Sequence, residues 1–257
     1  MLKHSLALGL VLFASSWGRA QTPQAPSAQD LLKLDDLLLK WEKAMSDVQS
    51  LLVFINRTTI DRVYNTKDVF EGTAKFVRGQ RGQPSRASLE LYRKDRREIY
   101  EKYICSGTFV YEFAPGEKLI RIHELPPPRP GQQTDDNFQA FVIGMKAVEA
   151  KKRYKLTYVP PLPQDKYYYY IKVEPTSPAD KAEFSEARLT LWNNNYLPRQ
   201  LWFKQPNGNE TVWDFPRAVN GADIPVTEFG QPALPARDWH YQRVPRDVPP
   251  RVIRPNR

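Results

Sequence analysis

The stretch Asp68-Val-Phe-Glu-Gly-Thr-Ala-Lys-Phe-Val-Arg78 decides how this chain is read. In an extended chain successive side chains point to opposite faces. Phe70, Gly72, Ala74 and Phe76 then share one face, and Glu71, Thr73 and Lys75 share the other. The same alternation recurs downstream. Ala87, Leu89 and Leu91 alternate with Ser88, Glu90 and Tyr92, and Phe109, Tyr111 and Phe113 alternate with Val110, Glu112 and Ala114. One apolar and one polar face per strand is what an antiparallel sheet with a single wet face requires.

Outward from this stretch, residues 51–61, 85–95, 98–106 and 108–113 are also rich in β-branched and aromatic residues. Pro115-Gly116 marks a turn before a strand at 119–124. Residues 125–136 hold four prolines and cannot lie inside a sheet. Short helices are expected at 136–145 and 147–154. Strands resume at 155–159, 167–174, 186–192, 197–204 and 210–215. The last two are joined through Gln205-Pro-Asn-Gly-Asn209, a hairpin signal because Asn-Gly accepts positive φ. Ahead of all the strands, Leu31, Leu34, Leu38, Trp41, Met45 and Val48 place one apolar stripe along a helix of about six turns. Ser27 and Asp30 are spaced to cap its start. The expected fold is α+β and mostly β. A strongly curved antiparallel half-barrel sheet of about ten or eleven strands is covered by the N-terminal helix and a central helical lid, since a sheet this large must curl, split or close.

Composition excludes several classes. The chain has 257 residues, 41% hydrophobic and 26% charged, too apolar for disorder throughout. A single cysteine excludes a disulfide framework and any cysteine-based zinc module. Lys3 and His4, the apolar run 6–13 and Gly18-Arg19-Ala20 read as a secretory signal over residues 1–20. The protein is therefore expected to be exported and periplasmic, and soluble after cleavage. Residues 21–28 read as a linker, 29–229 as the half-barrel domain, and 230–257 as a Pro- and Arg-rich, partly disordered tail. Lys and Arg number 38 against 29 Asp and Glu, a net charge of +9. This favours attraction to an anionic membrane surface or polymer, and export argues against nucleic acid.

Reaction chemistry is missing. Cys105 and His123 are the only candidate nucleophile and base, but the cysteine lies in a strand pattern and reads as structural. His123-Glu124 puts neighbours on opposite strand faces, where they share a metal poorly. Asp135-Asp136 falls short of the six to eight oxygens that calcium takes. There is no Gly-rich phosphate loop and no Gly-x-Ser-x-Gly. Tyr167-Tyr-Tyr-Tyr170 with Trp202 and Trp213 reads as strand aromatics divided between core and surface. No catalytic residue, metal or cofactor is expected, and the reading is non-enzymatic.

A curled sheet has an apolar inner face, which is either filled or left open to an apolar ligand. Each buried CH₂ is worth about 0.8 kcal/mol, so one acyl chain gains on the order of 10 kcal/mol there. The candidate lining is Leu38, Trp41 and Met45 from the helix. Phe70, Phe76, Leu89, Leu91, Phe109, Tyr111, Leu189 and Leu191 are added from the strands. Phe138, Phe141 and Met145 are placed in the lid.

The closing run Glu186-Ala-Arg-Leu-Thr-Leu-Trp192, Tyr196-Leu-Pro-Arg-Gln-Leu-Trp-Phe203 and Asn207-Gly-Asn-Glu-Thr-Val-Trp213 resembles the recurrent ending of the LolA/LolB-like periplasmic lipoprotein-carrier superfamily. Over residues 30–240 the chain also resembles a planctomycete exported family of unknown function. That likeness is carried by Leu38-Leu-Lys-Trp-Glu-Lys-Ala-Met45, Phe70-Glu-Gly-Thr-Ala-Lys75, Glu101-Lys-Tyr-Ile-Cys105 and Arg121-Ile-His-Glu-Leu125. Asp135-Asp-Asn-Phe138 and Gly144-Met-Lys146 add to it. The resemblance implies a half-barrel carrying acyl chains of a lipid or lipoprotein beneath helical lids. It also implies an arginine linking barrel to lid, for which Arg57 and Arg62 are candidates outside any matching motif. The alternative is an interaction or sensor module of the same fold with a filled core. It would bind an envelope protein or anionic polymer through its basic surface.

Overall fold

The computed structural model describes residues 27–80, 83–125 and 146–245. It is one large, open, curved sheet with few helices. After helix α1 (Ala28–Asp47), strands β1 (Ser50–Asp61), β2 (Thr66–Val77), β3 (Arg86–Arg93), β4 (Tyr100–Cys105), β5 (Phe109–Ala114) and β6 (Leu119–Glu124) run as a meander. The chain then reaches the opposite edge, where helix α2 (Ala147–Arg153) leads into β7 (Tyr154–Val159). A second meander returns through β8 (Tyr168–Pro175), helix α3 (Pro178–Glu183), β9 (Glu186–Trp192), β10 (Pro198–Lys204) and β11 (Glu210–Asn220). Its last strand, β11, pairs with β1 and joins the two halves. The order is β12-β6-β5-β4-β3-β2-β1-β11-β10-β9-β8-β7, with β12 at His240–Val244. Every pairing is antiparallel except β12 with β6.

Local chemistry explains the punctuation. The Ser27 hydroxyl accepts from the Asp30 N–H and the Asp30 carboxylate accepts from the Ser27 N–H, the reciprocal box expected from sequence. At the other end of α1, the Arg78 guanidinium donates to the carbonyls of Val48 and Met45 at 2.7 and 2.8 Å, satisfying groups the helix leaves over. Gly208 sits at φ 87° and donates to the Gln205 carbonyl, which makes the Asn-Gly turn.

Glycine 72 has a different task. A Cβ there would meet the Glu90 carbonyl oxygen at 1.9 Å. The β2 and β3 backbones therefore approach more closely at this point than any side chain permits.

The main core lies between α1 and the concave face. Leu34, Leu37, Leu38, Trp41 and Met45 of α1 are buried, with Val48 just past its end. They pack with Ile171 and Val173 of β8, Leu189 and Leu191 of β9, and Leu201 and Phe203 of β10. Leu37 joins this face, whereas Leu31 is 51% exposed. A second cluster holds Ile104, Tyr111, Phe113 and Ile120, with Phe109 packed against it.

That second cluster corrects the expected placement of Phe109 and Tyr111. Leu89 pairs with Tyr103 and Tyr103 with Glu112, so the concave face of β5 carries Val110 and Glu112. Phe109 and Tyr111 point to the convex side. There the connection after β11 lays Ile224, Phe229 and Trp239 over them. Alternation reveals that one face is covered, but not which one.

The sequence reading also placed the domain end at 229, before a tail. Phe229 is buried and residues 240–244 add a twelfth strand beside β6, beyond the ten or eleven expected. The helix read at 147–154 forms as α2. Its first N–H, from Ala147, donates to the Glu42 carboxylate of α1 at 2.8 Å. The signal, most of the linker, the lid residues Phe138, Phe141 and Met145, and Asp135-Asp136 lie outside the described residues.

The packing gives a direct test. Leu38→Ala, at a fully buried position, is expected to cost about 2–5 kcal/mol in urea unfolding. Leu39→Ala, one residue along and 61% exposed, is expected to stay within about 0.5 kcal/mol of the parent. Gly72→Ala is expected to cost roughly 1–3 kcal/mol, because only backbone can move to admit the new methyl.

Candidate functional site

Strand register lays out the concave face in rows. One row runs Leu51, Phe76, Ala87, Cys105, Val110 and His123, and the next Val53, Ala74, Leu89, Tyr103, Glu112 and Arg121. On β1 to β3 these rows are apolar, and on β5 and β6 they turn polar.

Burial divides the same face differently. Leu38, Trp41, Leu91, Leu189 and Leu191 have no exposed surface, and Met45 and Phe70 have little. Phe76 and Leu89 are half-buried at the rim of that core, together with Leu51, Val53 and Ala74. The structure thus brings the predicted helix and strand residues to one face, Phe109 and Tyr111 excepted. The sequence reading missed Leu51, Val53 and Ala74, although the alternation of Leu51, Val53 and Ile55 carries the signal.

Two ionic groups sit on this face. Arg57 of β1 is 6% exposed and donates both terminal nitrogens to Glu101 of β4, at 2.6 and 2.7 Å. Its guanidinium carbon lies 4.5 Å from the Phe70 ring centre and 5.3 Å from that of Trp213. A planar, weakly hydrated guanidinium suits such a site. Arg57 therefore spans the sheet from β1 to β4, and its Nε has no partner among the described residues. Arg62, the other arginine considered, pairs with Glu210 and is more than half exposed.

The second group is on β5 and β6. His123 Nε2 lies 2.9 Å from a Glu112 carboxylate oxygen, and both side chains are almost fully buried. Arg121 reaches the other Glu112 oxygen at 3.3 Å. His123 Nδ1 has no partner among the described residues. Val110 stands between His123 and Cys105, and it is Glu112 that holds the His123 ring. Among the described residues no group of three or more His, Cys, Asp or Glu side chains is placed to hold a metal.

A small hollow of about 250 Å³ lies against the N-terminal half of α1, above β7 and β8. Lys33, Asp36, Lys40, Tyr158, Tyr169 and Tyr196 line it. Burial pushes the Tyr158 and Tyr169 phenols above their usual range. The hydrogen bond to Asp36 raises the Lys40 ammonium. A shallower depression of about 480 Å³ lies around the irregularity near residues 54–56, with Asn56, Glu71 and Glu90 on its wall.

These features define the chain as a curved open sheet that wraps one helix and keeps a half-covered apolar strip with a polar end. No protein-family model and no curated protein matches it. Solved structures do. The MucA/MucB complex of Pseudomonas aeruginosa matches at 13% identity and TM-score 0.45, over 78% of this chain and 61% of that one. This chain thus spans less than two thirds of that chain's length. An uncharacterized conserved protein from Thermus thermophilus matches at 7% identity and TM-score 0.49, over 82% and 99%. A LolA superfamily protein from Nitrosomonas europaea matches at 12% identity and TM-score 0.34, over 77% and 97%. Among the described residues no helix is long and apolar enough to cross a membrane.

Removing one partner of a buried ion pair leaves the other charge uncompensated. Glu101→Gln is expected to cost roughly 3 kcal/mol in urea unfolding, whereas the double replacement Arg57→Met with Glu101→Leu is expected to lie near the parent. A single mutant no worse than the double would show that the pair is not what holds β1 against β4.

Proposed function

We propose that the chain is a non-enzymatic, exported binding or carrier protein for the acyl chains of a lipid or lipoprotein. The observation that carries this reading is the unequal burial of one apolar face. Beneath α1 the side chains are sealed, but Leu51, Val53, Ala74, Phe76 and Leu89 remain half-buried beside it. A contiguous row of part-exposed apolar side chains among the described residues supports such a site. An amphiphile lying across these strands would set its tail on this strip and its polar end toward Arg121 and His123. In this reading Leu38, Trp41, Met45, Phe70, Leu91, Leu189 and Leu191 form the fixed wall, and Phe76 and Leu89 meet the ligand. The lid expected at residues 136–145 lies outside the described residues.

A second reading rests on the sealed half itself. Leu38 and Trp41 are fully buried against β9, as in a filled core. On that basis the protein would be an envelope interaction or sensor module, binding a protein or an anionic surface through its net positive charge.

Fluorescent fatty-acid titration separates the two. Saturable uptake is expected, weakened roughly 100-fold or more by Leu89→Glu, because a carboxylate must then be desolvated against the tail. The variant should keep the parent far-UV spectrum, since Leu89 lies at the rim of the core. No uptake by the parent, together with a ligand-free mass for protein taken from the periplasm, would overturn the carrier reading in favour of the second.

A further inference from the structure

The hollow beside α1 has features that acyl binding does not use. It lies on the β7 and β8 side, away from the half-buried strip on β1 to β3, so the two sites stand or fall separately. Its walls are three phenols, two ammonium groups, the Asp36 carboxylate and Leu37. Tyr169 and Tyr196 stack with ring centres 5.8 Å apart and planes 2° from parallel. The Lys40 ammonium lies 5.8 Å from the Tyr196 ring centre, and the Lys33 ammonium 5.8 Å from that of Tyr158.

Charge does not balance. Asp36 accepts from Lys40 at 2.6 Å, and no salt-bridge partner for Lys33 is found among the described residues. Within the lining Asp36 answers Lys40 and leaves Lys33 over, with the Asp30 carboxylate acting on Tyr158 from one turn away and three tyrosines sharing the hollow.

Tyr196 supplies an independent observation. Its φ is 57°, the left-handed region that glycine and asparagine adopt far more readily than a tyrosine. The preceding residues are Asn193-Asn194-Asn195, so the turn sets a strained tyrosine where an easier residue stands next door. A residue in this region persists only where its surroundings hold it, here the turn that the Tyr196 N–H closes on the Trp192 carbonyl.

From this arrangement we infer that the hollow bounded by Lys33, Lys40, Tyr158, Tyr169 and Tyr196 is a subsite for the phosphate group of a small ligand. A tetrahedral anion can accept from several directions at once, and lysine serves it as a point charge. At about 250 Å³ the hollow falls below the usual range for a whole drug-sized ligand, roughly 300–1,000 Å³, and suits a phosphate with a short polar stem. Such a group comes either from a soluble phosphoryl compound or from a phospholipid head.

Calorimetric titration of the full mature protein with sn-glycerol 3-phosphate tests this. Saturable binding is expected, with a dissociation constant of about 1 mM or tighter. Lys33→Gln and Tyr196→Asn are each expected to weaken it about tenfold. Asn accepts the backbone angle, so that variant removes the ring without unfolding the turn. Lys43→Gln is the control. It removes the same charge from an exposed position on the same helix, and binding is expected to be unchanged. Competition by phosphatidylglycerol-containing vesicles, but not by phosphatidylcholine vesicles, would identify a lipid head as the source. Binding that vesicles leave untouched would identify a soluble compound. No saturable binding at about 10 mM, or an equal loss with Lys43→Gln, would overturn the proposal. Fatty-acid uptake by Lys33→Gln should equal that of the parent, which keeps this result separate from the carrier reading.

Discussion

The seat of α1 in the concave face is the contact on which the rest depends. Six apolar side chains, Leu34 through Val48, are buried there against β8 to β10. Burying each is worth about 1.5–3 kcal/mol. Other features follow from it. Arg78 reaches back to cap α1, Glu42 of α1 receives the first N–H of α2, and Gly72 allows β2 and β3 to close up beside it. One helix is too narrow for a sheet of twelve strands. At about 10 Å across it covers part of the face, and among the described residues the apolar strip of β1 to β3 lies beside it.

The convex side meets the same demand by another route. The aromatic residues of β5 point away from α1, and the connection from β11 to β12 brings Phe229 and Trp239 onto them. The Lys118–Asp238 ion pair and the Lys75–Glu228 pair hold that connection at its margins. Exposed pairs of this kind contribute little, so the rings carry the contact. The sheet therefore has two cores, one on each face at opposite ends.

Polar groups on an apolar face are costly unless paired, which makes Arg57 and His123 informative. Arg57 exchanges its hydration for two charge-assisted bonds and two aromatic faces. His123 and Glu112 satisfy one another across β5 and β6. The His123–Glu112–Arg121 group makes the concave face polar at β5 and β6, whereas Arg57 and Glu101 are polar groups within its β1–β4 part.

Much of this was legible in the sequence. Period-two alternation named nearly all the strands, the stripe from Leu31 to Val48 named the helix, and Ser27 with Asp30 marked its start. Those signals are local, since they follow from backbone geometry and from whether one side of an element is covered. The sequence by itself thus determined a curled antiparallel sheet with one long helix against it, and most of the residues on the inner face. It did not determine the face on which Phe109 and Tyr111 lie. That depends on the β4–β5 register and on Phe229, more than a hundred positions downstream. Nor did it determine that Arg57 would meet Glu101, that Lys33 would share a hollow with Tyr158 and Tyr196, or that residues 240–244 would join the sheet. Only the tertiary structure decided these. Each joins segments distant in sequence, where cross-sheet register and packing fix the partner and no local pattern records it.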